Sequence, residues 1–394
     1  MFTRELSLNP ILERKSLFLF GPRQTGKSTF LKKNYPEALF INLLEKKTYD
    51  YFFQNTDALK SELEVFSRKN NSPLVIIDEV QKLPWIIDEV HNAIENDKNS
   101  KFILTGSSAR KLKRSGSNFL GGRASRVQMF PLVFSEISSE LKTIKDLERR
   151  LLIGGLPSIF TSPKPFDDLD DYISLYLNEE IRAEGIVRNY ENFHRFLFSC
   201  ATTNSNLLNF TQLGSDAQIP PRTVIDYYQI IEDTMLGFFL LPFEKTPSRK
   251  AVSTSKFYLF DTGVVNGILR RESLSSGTIE FGSVFEHFVI SEIRAYFSYR
   301  FLKHEMFFWR SASKLEVDLI IQTPKEIWAI EIKSKSKISS KDCNGIKAFC
   351  QDYPLARKLF ILLDCHHHVD SEGIEQISIL DFLKELWSNQ YFNL

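Results

Sequence analysis

The sequence predicts an α/β protein of two or more domains. Up to about residue 135, short apolar runs alternate with longer amphipathic stretches, a pattern typical of parallel strands joined by crossover helices. A second β-rich region begins near Phe307, after a long helix predicted over Ser283 to Tyr299. A chain of 394 residues exceeds one typical domain, so two or three hydrophobic cores are expected.

The composition is that of a globular protein without a global charge preference. Hydrophobic residues make up 43% of the chain, and 50 Lys and Arg nearly balance 49 Asp and Glu, so any site for a polyanion must be local. The N-terminus lacks a signal-peptide pattern, and no apolar run approaches the roughly 18 residues of a membrane helix. We therefore expect a cytoplasmic protein that makes no membrane contact.

The predicted elements divide the chain into four regions. Residues 1–135 are expected to form the parallel sheet, with strands over Ser16 to Phe20, Ala38 to Asn42, Leu74 to Asp78, Lys101 to Thr105 and Ser125 to Phe130. Residues 136–200 are predicted to be a mainly helical lid. In residues 201–275, two predicted helices, Thr211 to Asp216 and Pro221 to Asp233, indicate a winged-helix-like connector. Residues 276–394 would form the C-terminal α/β domain.

A phosphate-binding loop follows the first strand. Residues 21–28, Gly-Pro-Arg-Gln-Thr-Gly-Lys-Ser, fit G-x-x-x-x-G-K-[ST] and lie between an apolar strand and a helix, which is the context this motif requires. Lys27 would reach the β and γ phosphates of ATP, and Ser28 would coordinate Mg²⁺. The following residues are therefore predicted to bind ATP: Gly21, Pro22, Arg23, Gln24, Thr25, Gly26, Lys27, Ser28 and Thr29.

Two acidic residues end the apolar run that begins at Leu74. This pattern is typical of a buried parallel strand whose carboxyl end carries function. Asp78 is expected to hold Mg²⁺ and the nucleotide, and Glu79 to polarise the attacking water as general base. The pair predicts hydrolysis and not binding alone. An acidic cap between strand and helix is the alternative.

The segment Lys101 to Ser135 is basic and contains no acidic residue. Its strand ends in Thr105-Gly106-Ser107-Ser108, near the expected γ phosphate, so a hydroxyl here is a candidate phosphate sensor. Arg123 is a candidate arginine finger, because a guanidinium neutralises charge on a transferring phosphoryl group. A solvated basic face or a nucleic-acid patch would explain the same composition.

Four motifs in order give a family resemblance: residues 21–28, Ile-Asp-Glu-Val-Gln-Lys-Leu-Pro at 77–84, Leu-Thr-Gly-Ser-Ser at 104–108 and Leu-Gly-Gly-Arg at 120–123. This order resembles a prokaryotic AAA+ ATPase family whose members carry a C-terminal domain of unknown function related in pattern to PD-(D/E)XK nucleases. The resemblance covers nearly the whole chain. It implies the AAA+ strand order, a sensor at Ser107 or Ser108, and Arg123 in preference to Arg126 as the finger.

Charged residues alternate along two predicted strands of the C-terminal domain. Strand periodicity puts Glu316 and Asp318 on one face of the first strand, and Glu331 and Lys333 on one face of the second. On adjacent strands these groups would converge on Mg²⁺ or Mn²⁺, with Lys333 beside the attacking water. Alternating Glu and Lys is also ordinary for a solvated sheet face.

Together with Glu286 of the long helix, this set resembles the PD-(D/E)XK nuclease core. The resemblance implies metal-dependent phosphodiester cleavage, with Glu286, Asp318 and Glu331 as metal ligands, Glu331 and Lys333 in catalysis and Glu316 as an auxiliary. Sites of this kind also persist as binding surfaces.

The prediction is thus an ATP-hydrolysing AAA+ protein, with ATP and Mg²⁺ as cofactors, whose nucleotide state controls a nuclease-like domain acting on nucleic acid. DNA is the favoured partner, and self-association is expected if the finger acts on a neighbour's nucleotide. The alternative is an ATP-driven switch in which the nuclease-like domain is catalytically inactive and serves as an interaction module.

Overall fold

The computed structural model describes residues 2–68, 72–97, 99–106, 122–177, 189–243 and 255–392. The chain divides into two units. The N-terminal unit comprises Leu6–Phe130 with Asp233–Met235, and the C-terminal unit comprises Met1–Glu5, Pro131–Glu232 and Leu236–Leu394. The finer predicted boundaries at residues 200 and 275 stay predictions. Within the described ranges, no helix has both the length and the hydropathy of a membrane span.

The N-terminal unit is built on a five-stranded sheet in which all paired strands run parallel. Its strands are β1 (Ser16–Phe20), β2 (Leu39–Asn42), β3 (Leu74–Asp78), β4 (Lys101–Gly106) and β5 (Ala124–Gln128), in the order β2-β3-β4-β1-β5. The helices are α1 (Asn9–Leu12), α2 (Lys27–Asn34), α3 (Lys46–Gln54), α4 (Ala58–Ser67) and α5 (Ile86–Asn96), with a 3₁₀ turn at Val80–Lys82. Each predicted strand of this region is present.

Every residue of β1 is buried, as expected for a parallel strand that is covered on both faces. Phe18 and Phe20 pack with Ile77, Phe102 and Leu104 in the core of this unit. Because β4 lies between β1 and β3, the carboxyl end of β4 comes between the start of the phosphate loop and the end of the Asp78 strand. The chemically important ends of three strands therefore meet at one edge of the sheet.

The C-terminal unit begins with helices and continues into a mixed sheet. Its helices are α6 (Phe134–Ile137), α7 (Ile144–Ile153), α8 (Pro157–Phe160), α9 (Pro165–Asp171), the π-helix Tyr172–Leu177, α10 (Tyr190–Thr202), α11 (Phe210–Ala217), α12 (Pro221–Asp233), α13 (Thr262–Ile268), α14 (Ile279–Tyr299), α15 (Asn344–Asp352) and α16 (Ile379–Trp387). The mainly helical region and the helix pair α11–α12 lie where the sequence predicts them; the lid and winged-helix interpretations stay predictions.

The sheet of this unit has eight strands in the order β12-β13-β11-β10-β9-β8-β6-β7. They are β6 (Gly237–Pro242), β7 (Lys256–Leu259), β8 (Glu305–Arg310), β9 (Glu316–Gln322), β10 (Ile327–Lys333), β11 (Arg357–Leu362), β12 (His368–Val369) and β13 (Ile374–Ser378). The antiparallel pair β6–β7 belongs to the region predicted as a connector. It nevertheless joins the C-terminal sheet, because β6 pairs in parallel with β8.

A buried aspartate ties α7 to α13. One oxygen of Asp261 accepts the N–H groups of Gly263 and Val264 at the start of α13, and the other accepts the Gly155 N–H at 2.7 Å. Gly154 has a φ of 77°, and a Cβ at this position would lie 1.9 Å from Asp261 Oδ1. Glycine is therefore required here for both conformation and space.

Candidate functional site

The phosphate loop connects β1 to α2 and is shaped by close backbone packing. A Cβ on Gly21 would lie 2.4 Å from the carbonyl oxygen of Met129, and Gly26 precedes α2 in the left-handed conformation. The Lys27 ammonium donates to the carbonyl oxygens of Gly21 at 2.7 Å and Pro22 at 3.0 Å. The lysine is thus folded over the loop, with only 6% of its surface exposed. The other residues assigned to ATP lie in the same loop or the first turn of α2: Arg23, Gln24, Thr25, Ser28 and Thr29.

Three oxygen-bearing side chains meet where α2 begins and where β3 and β4 end. Ser28 Oγ donates to Asp78 Oδ2 at 2.6 Å, and Thr105 Oγ1 contacts Asp78 Oδ1. Hydroxyl and carboxylate oxygens are the hard ligands that Mg²⁺ prefers, and neighbouring ligands of an octahedral Mg²⁺ lie about 2.9 Å apart when each metal–oxygen distance is about 2.0–2.1 Å. Ser28 and Asp78 need to move apart by only a few tenths of an ångström. The residues present therefore fit the Mg²⁺ that accompanies ATP.

Glu79 is held in a specific backbone conformation next to Asp78. Its φ is 61°, which is uncommon for a residue with a side chain, and its N–H donates to Thr105 Oγ1 at 3.0 Å. The Gln81 side-chain amide donates to the Glu79 carboxylate. No motif in the sequence marks Thr105 or Gln81 individually, although Thr105 lies near the end of the strand that precedes the predicted sensor.

The predicted sensor residues, Ser107 and Ser108, lie outside the described residues. The hydroxyl that the structure places against Asp78 is that of Thr105, two positions earlier. Strand β4 therefore contributes a hydroxyl at the expected edge of the sheet.

Arg123 lies at the opposite edge of the same sheet. In the parallel β1–β5 register, Ser16 pairs with Ala124 and Phe20 pairs with Gln128. Arg123 thus lies level with Lys15, before the amino end of the sheet, whereas Gly21 follows its carboxyl end, about 20 Å away for six residues at 3.3 Å each. The Arg123 guanidinium forms an ion pair with Glu95 of α5. It does not reach the phosphate loop of its own chain.

The C-terminal acidic residues meet around two lysines. Strands β9 and β10 are antiparallel neighbours, as expected, and their ladder ends at the pair Ile330–Leu319. Lys333 Nζ lies 2.8 Å from Asp318 Oδ2 and 2.6 Å from Glu331 Oε2. The Ile332 N–H also donates to Asp318 Oδ2, at 2.8 Å. Asp318, Glu331 and Lys333 therefore form one hydrogen-bonded group.

Glu286 comes close to the same cluster but is held by residues that the sequence analysis missed. Its Oε1 accepts from Lys256 Nζ at 3.0 Å and from Tyr258 Oη at 2.6 Å. Lys256 Nζ also lies 2.7 Å from Glu316 Oε1. Lys256 and Tyr258 share one face of β7, so strand periodicity pairs them with each other. Nothing in the sequence indicates that β7 faces Glu286.

Burial and charge pull the pKa values of these groups in different directions. Burial raises the pKa of Glu286 and, with the nearby Asp318 charge, raises that of Glu331 well above its ordinary value. Burial also acts to raise the pKa of Asp318, but the ammonium groups of Lys333 and Lys256 outweigh it and the pKa is lowered. For Lys256, the surrounding carboxylates outweigh burial and the pKa is raised. The cluster therefore favours charged lysines.

The predicted metal ligands do not come together as an open site. Glu286 faces Lys256, while Asp318 and Glu331 share Lys333. In the part of the chain that the structure describes, no group of three or more His, Cys, Asp or Glu side chains is positioned to hold a metal ion. As arranged here, the cluster does not fit a divalent cation. Metal-dependent cleavage stays a prediction.

Comparison with known proteins separates the chain into three matched regions. Residues 13–138 match the family described as an AAA domain. Residues 144–275 and 281–382 match two domains of unknown function, DUF8612 and DUF4143. These descriptions assign an activity to neither of the two later regions.

The chain is similar to uncharacterized proteins of bacteria and archaea. It is 24% identical to one from Mycobacterium tuberculosis, over 86% of this chain and 75% of the relative. It is 21% identical to one from Haemophilus influenzae (97% and 98%) and 24% identical to one from Methanocaldococcus jannaschii (94% and 86%). The match therefore extends over most of each protein.

Two solved structures show weak similarity. The Aeropyrum pernix ORC1 protein in complex with DNA aligns with a TM-score of 0.27 and 12% identity, covering 67% of this chain and 91% of that one. Protein VC1899 from Vibrio cholerae aligns with a TM-score of 0.22 and 11% identity, covering 95% and 96%. Neither structural similarity assigns the fold. The sequence match over residues 13–138, together with the geometry of the phosphate site, shows that the N-terminal part of this chain is an AAA-type domain.

Proposed function

We propose that this protein binds Mg²⁺-ATP at its phosphate loop and hydrolyses it. The observations that carry the proposal are the meeting of Ser28, Asp78 and Thr105 at the carboxyl edge of the sheet and the Lys27 ammonium folded over the phosphate loop, one residue before Ser28. This arrangement provides a cation for phosphate oxygens and hard oxygen ligands for Mg²⁺ in one place. The AAA domain match supports the same proposal.

Each side chain has a separate role in the proposed reaction. Lys27 would exchange its two carbonyl acceptors for phosphate oxygens, and Ser28 and Asp78 would hold Mg²⁺, which supplies charge neutralisation when bound. Glu79 would accept a proton from the attacking water. The water oxygen bonds to the γ-phosphorus, and the bond from that phosphorus to the β–γ bridging oxygen breaks, so that ADP leaves.

Arg123 fits this reaction only through a second copy of the chain. Its position at the amino edge of the sheet, about 20 Å from the phosphate loop, favours action on a neighbour's nucleotide. Self-association therefore belongs to the proposal. In the isolated chain, the ion pair with Glu95 holds the Arg123 side chain.

For the C-terminal unit, the geometry favours an interaction module over a metal nuclease. Lys256 and Lys333 already neutralise the acidic residues that would bind a metal ion. Nucleic acid, with DNA favoured, remains the proposed partner, and Lys337 and Lys341 are exposed on the loop after β10. Such lysines contribute through phosphate contacts, each of which adds about 0.9 to the salt-dependence slope of binding.

The ATPase proposal is tested by parallel binding and turnover assays on two variants. Lys27→Ala should weaken ATP binding, whereas Glu79→Gln should bind ATP like the wild type and hydrolyse it at least tenfold more slowly. Lys101→Ala, remote from the phosphate loop at the start of β4, is the control. Wild-type turnover by Glu79→Gln would refute the general-base role, and unchanged binding by Lys27→Ala would refute the phosphate site.

The partner proposal is tested by fluorescence anisotropy with labelled single-stranded and duplex DNA across a salt series. Lys337→Ala combined with Lys341→Ala should weaken binding and lower the salt slope by about 2, if both contact phosphates. Lys60→Ala, on α4 of the other unit, is the matched control. If the wild type, the double variant and Lys60→Ala have equal salt-dependence slopes, Lys337 and Lys341 do not contact DNA phosphates.

A further inference from the structure

Lys256 is a charged residue in an almost fully enclosed position. It begins β7, the edge strand of the eight-stranded sheet, and only 3% of its surface is exposed. Its ammonium lies 3.0 Å from Glu286 Oε1 and 2.7 Å from Glu316 Oε1, and 5.7 Å from the centre of the Phe308 ring. A buried lysine is costly unless carboxylates surround it, as they do here.

The acidic groups around Lys256 come from two other elements, α14 and β9. Glu286 lies on α14, Glu316 begins β9, and Asp318, on the same face of β9, contributes to the electrostatic environment of the lysine. Tyr258, two residues along β7, donates its hydroxyl to the same Glu286 oxygen. The edge strand therefore fixes both the position and the charge balance of the Glu286 carboxylate.

Amino groups supply the positive charge inside the cluster. Four carboxylates meet here, and Lys256 and Lys333 together supply two positive charges, the same charge as one divalent metal ion: Glu286, Glu316, Asp318 and Glu331. Arg310, partly exposed, lies 3.5 Å from the other oxygen of Glu316. A divalent ion among these oxygens would have to displace a hydrogen-bonded ammonium, and that of Lys256 belongs to an almost fully buried side chain.

We propose that Lys256 is the resident cation of this cluster. Its ammonium takes the place between Glu286, Glu316 and Asp318 that a divalent metal ion would take. The wild-type protein therefore binds no divalent ion there, and removal of the ammonium creates a site for Mn²⁺ or Mg²⁺. The cluster serves as a structural charge network that joins β7 to α14 and β9. This inference concerns the C-terminal unit and is independent of ATP hydrolysis.

The test is calorimetric titration of the full-length protein with Mn²⁺, without nucleotide. The wild type should show no binding that depends on Asp318, so wild type and Asp318→Asn should give the same titration. Lys256→Ala should gain one additional Mn²⁺ per chain, bound at least tenfold more tightly than any site in the wild type. Adding Asp318→Asn to Lys256→Ala should abolish the gained site.

Lys256→Met keeps the side-chain length without the charge. It therefore distinguishes the effect of losing the positive charge from the effect of losing side-chain volume. Thermal unfolding gives a second readout, because a ligand that binds only the folded state raises the melting temperature. Mn²⁺ should raise the melting temperature of Lys256→Ala, whereas any shift that Mn²⁺ causes in the wild type should be the same as its shift in Asp318→Asn. If a variant is unfolded without metal, restoration of its fold by Mn²⁺ supports the proposal.

Two results would overturn it. The first is stoichiometric Mn²⁺ binding by the wild type that Asp318→Asn abolishes, since the ammonium would then not exclude the metal. The second is the absence of any gained site in both Lys256→Ala and Lys256→Met, whether these variants are folded or stay unfolded with Mn²⁺.

Discussion

Replacing Thr105 by valine removes one hydroxyl at the centre of the nucleotide site without changing the shape of the side chain. Thr105 is completely buried, and its Oγ1 contacts Asp78 Oδ1 and accepts the Glu79 N–H at 3.0 Å. A hydrogen bond to a charged group contributes about 1.5–3 kcal/mol, and an unsatisfied buried group costs about 1–3 kcal/mol. We therefore expect Thr105→Val to lower the free energy of unfolding by about 2–4 kcal/mol.

The same change should affect catalysis, because the hydroxyl anchors the backbone of the proposed general base. Loss of this anchor should slow ATP turnover at least tenfold, which corresponds to about 1.4 kcal/mol in the activation free energy. Thr105→Ser is the matched control: it keeps the hydroxyl and loses one methyl group, at a cost of about 1 kcal/mol in stability. Urea unfolding and steady-state ATP hydrolysis measure the two effects. If valine and serine variants match in both, the hydroxyl has no role in holding Asp78 and Glu79.

Three further changes probe other parts of the molecule. Mixing Lys27→Ala with Arg123→Ala subunits should restore part of the ATPase activity that each lacks alone, since removal of a finger costs about 10³–10⁵ in rate in other NTPases; no restoration in confirmed mixed assemblies would contradict action in trans. Glu292 is buried, accepts the Phe134 N–H and the Trp387 indole N–H, and burial raises its pKa from 4.5 to about 7. Because the folded state binds the Glu292 proton more tightly than the unfolded state, the free energy of unfolding should fall by about 3 kcal/mol as pH rises from about 4.5 through 7. Urea unfolding across this pH range should show a flatter dependence for Glu292→Gln. An unchanged pH dependence in this variant would contradict the raised pKa of Glu292. Gly154→Ala should destabilise the protein by about 3 kcal/mol or more, because its Cβ would overlap Asp261, whereas Gly277→Ala, which also has positive φ but open surroundings, should cost about 1 kcal/mol; equal melting temperatures would exclude the proposed contact.

The nucleotide site shows how much a local sequence pattern determines. An apolar strand, a glycine-containing loop and the start of a helix are consecutive in the chain, so residues 16–34 predict their own arrangement. The apolar run ending at Asp78 likewise identifies a buried parallel strand from its own composition. The five strands of the N-terminal unit and the roles proposed for Lys27, Ser28 and Asp78 therefore follow from short-range patterns.

Other features of the protein are determined only by the tertiary structure, because they depend on strand pairing between segments that are distant in the chain. Strands β6 and β7 fall within residues 201–275, predicted as a connector, but β6 pairs with β8 and both strands extend the C-terminal sheet. The sequence makes Arg123 a candidate finger, and only the β1–β5 register places that residue at the far edge of the sheet.

The C-terminal cluster is the clearest case. Glu286, Asp318 and Glu331 carry a recognisable pattern, but Lys256 lies 30 residues before Glu286 and belongs to no motif with it. A strand's period determines which of its side chains share a face, and not which other element that face will meet. The contact between Lys256 and the acidic residues arises because burying these carboxylates requires a compensating positive charge, and folding brings β7 to supply it.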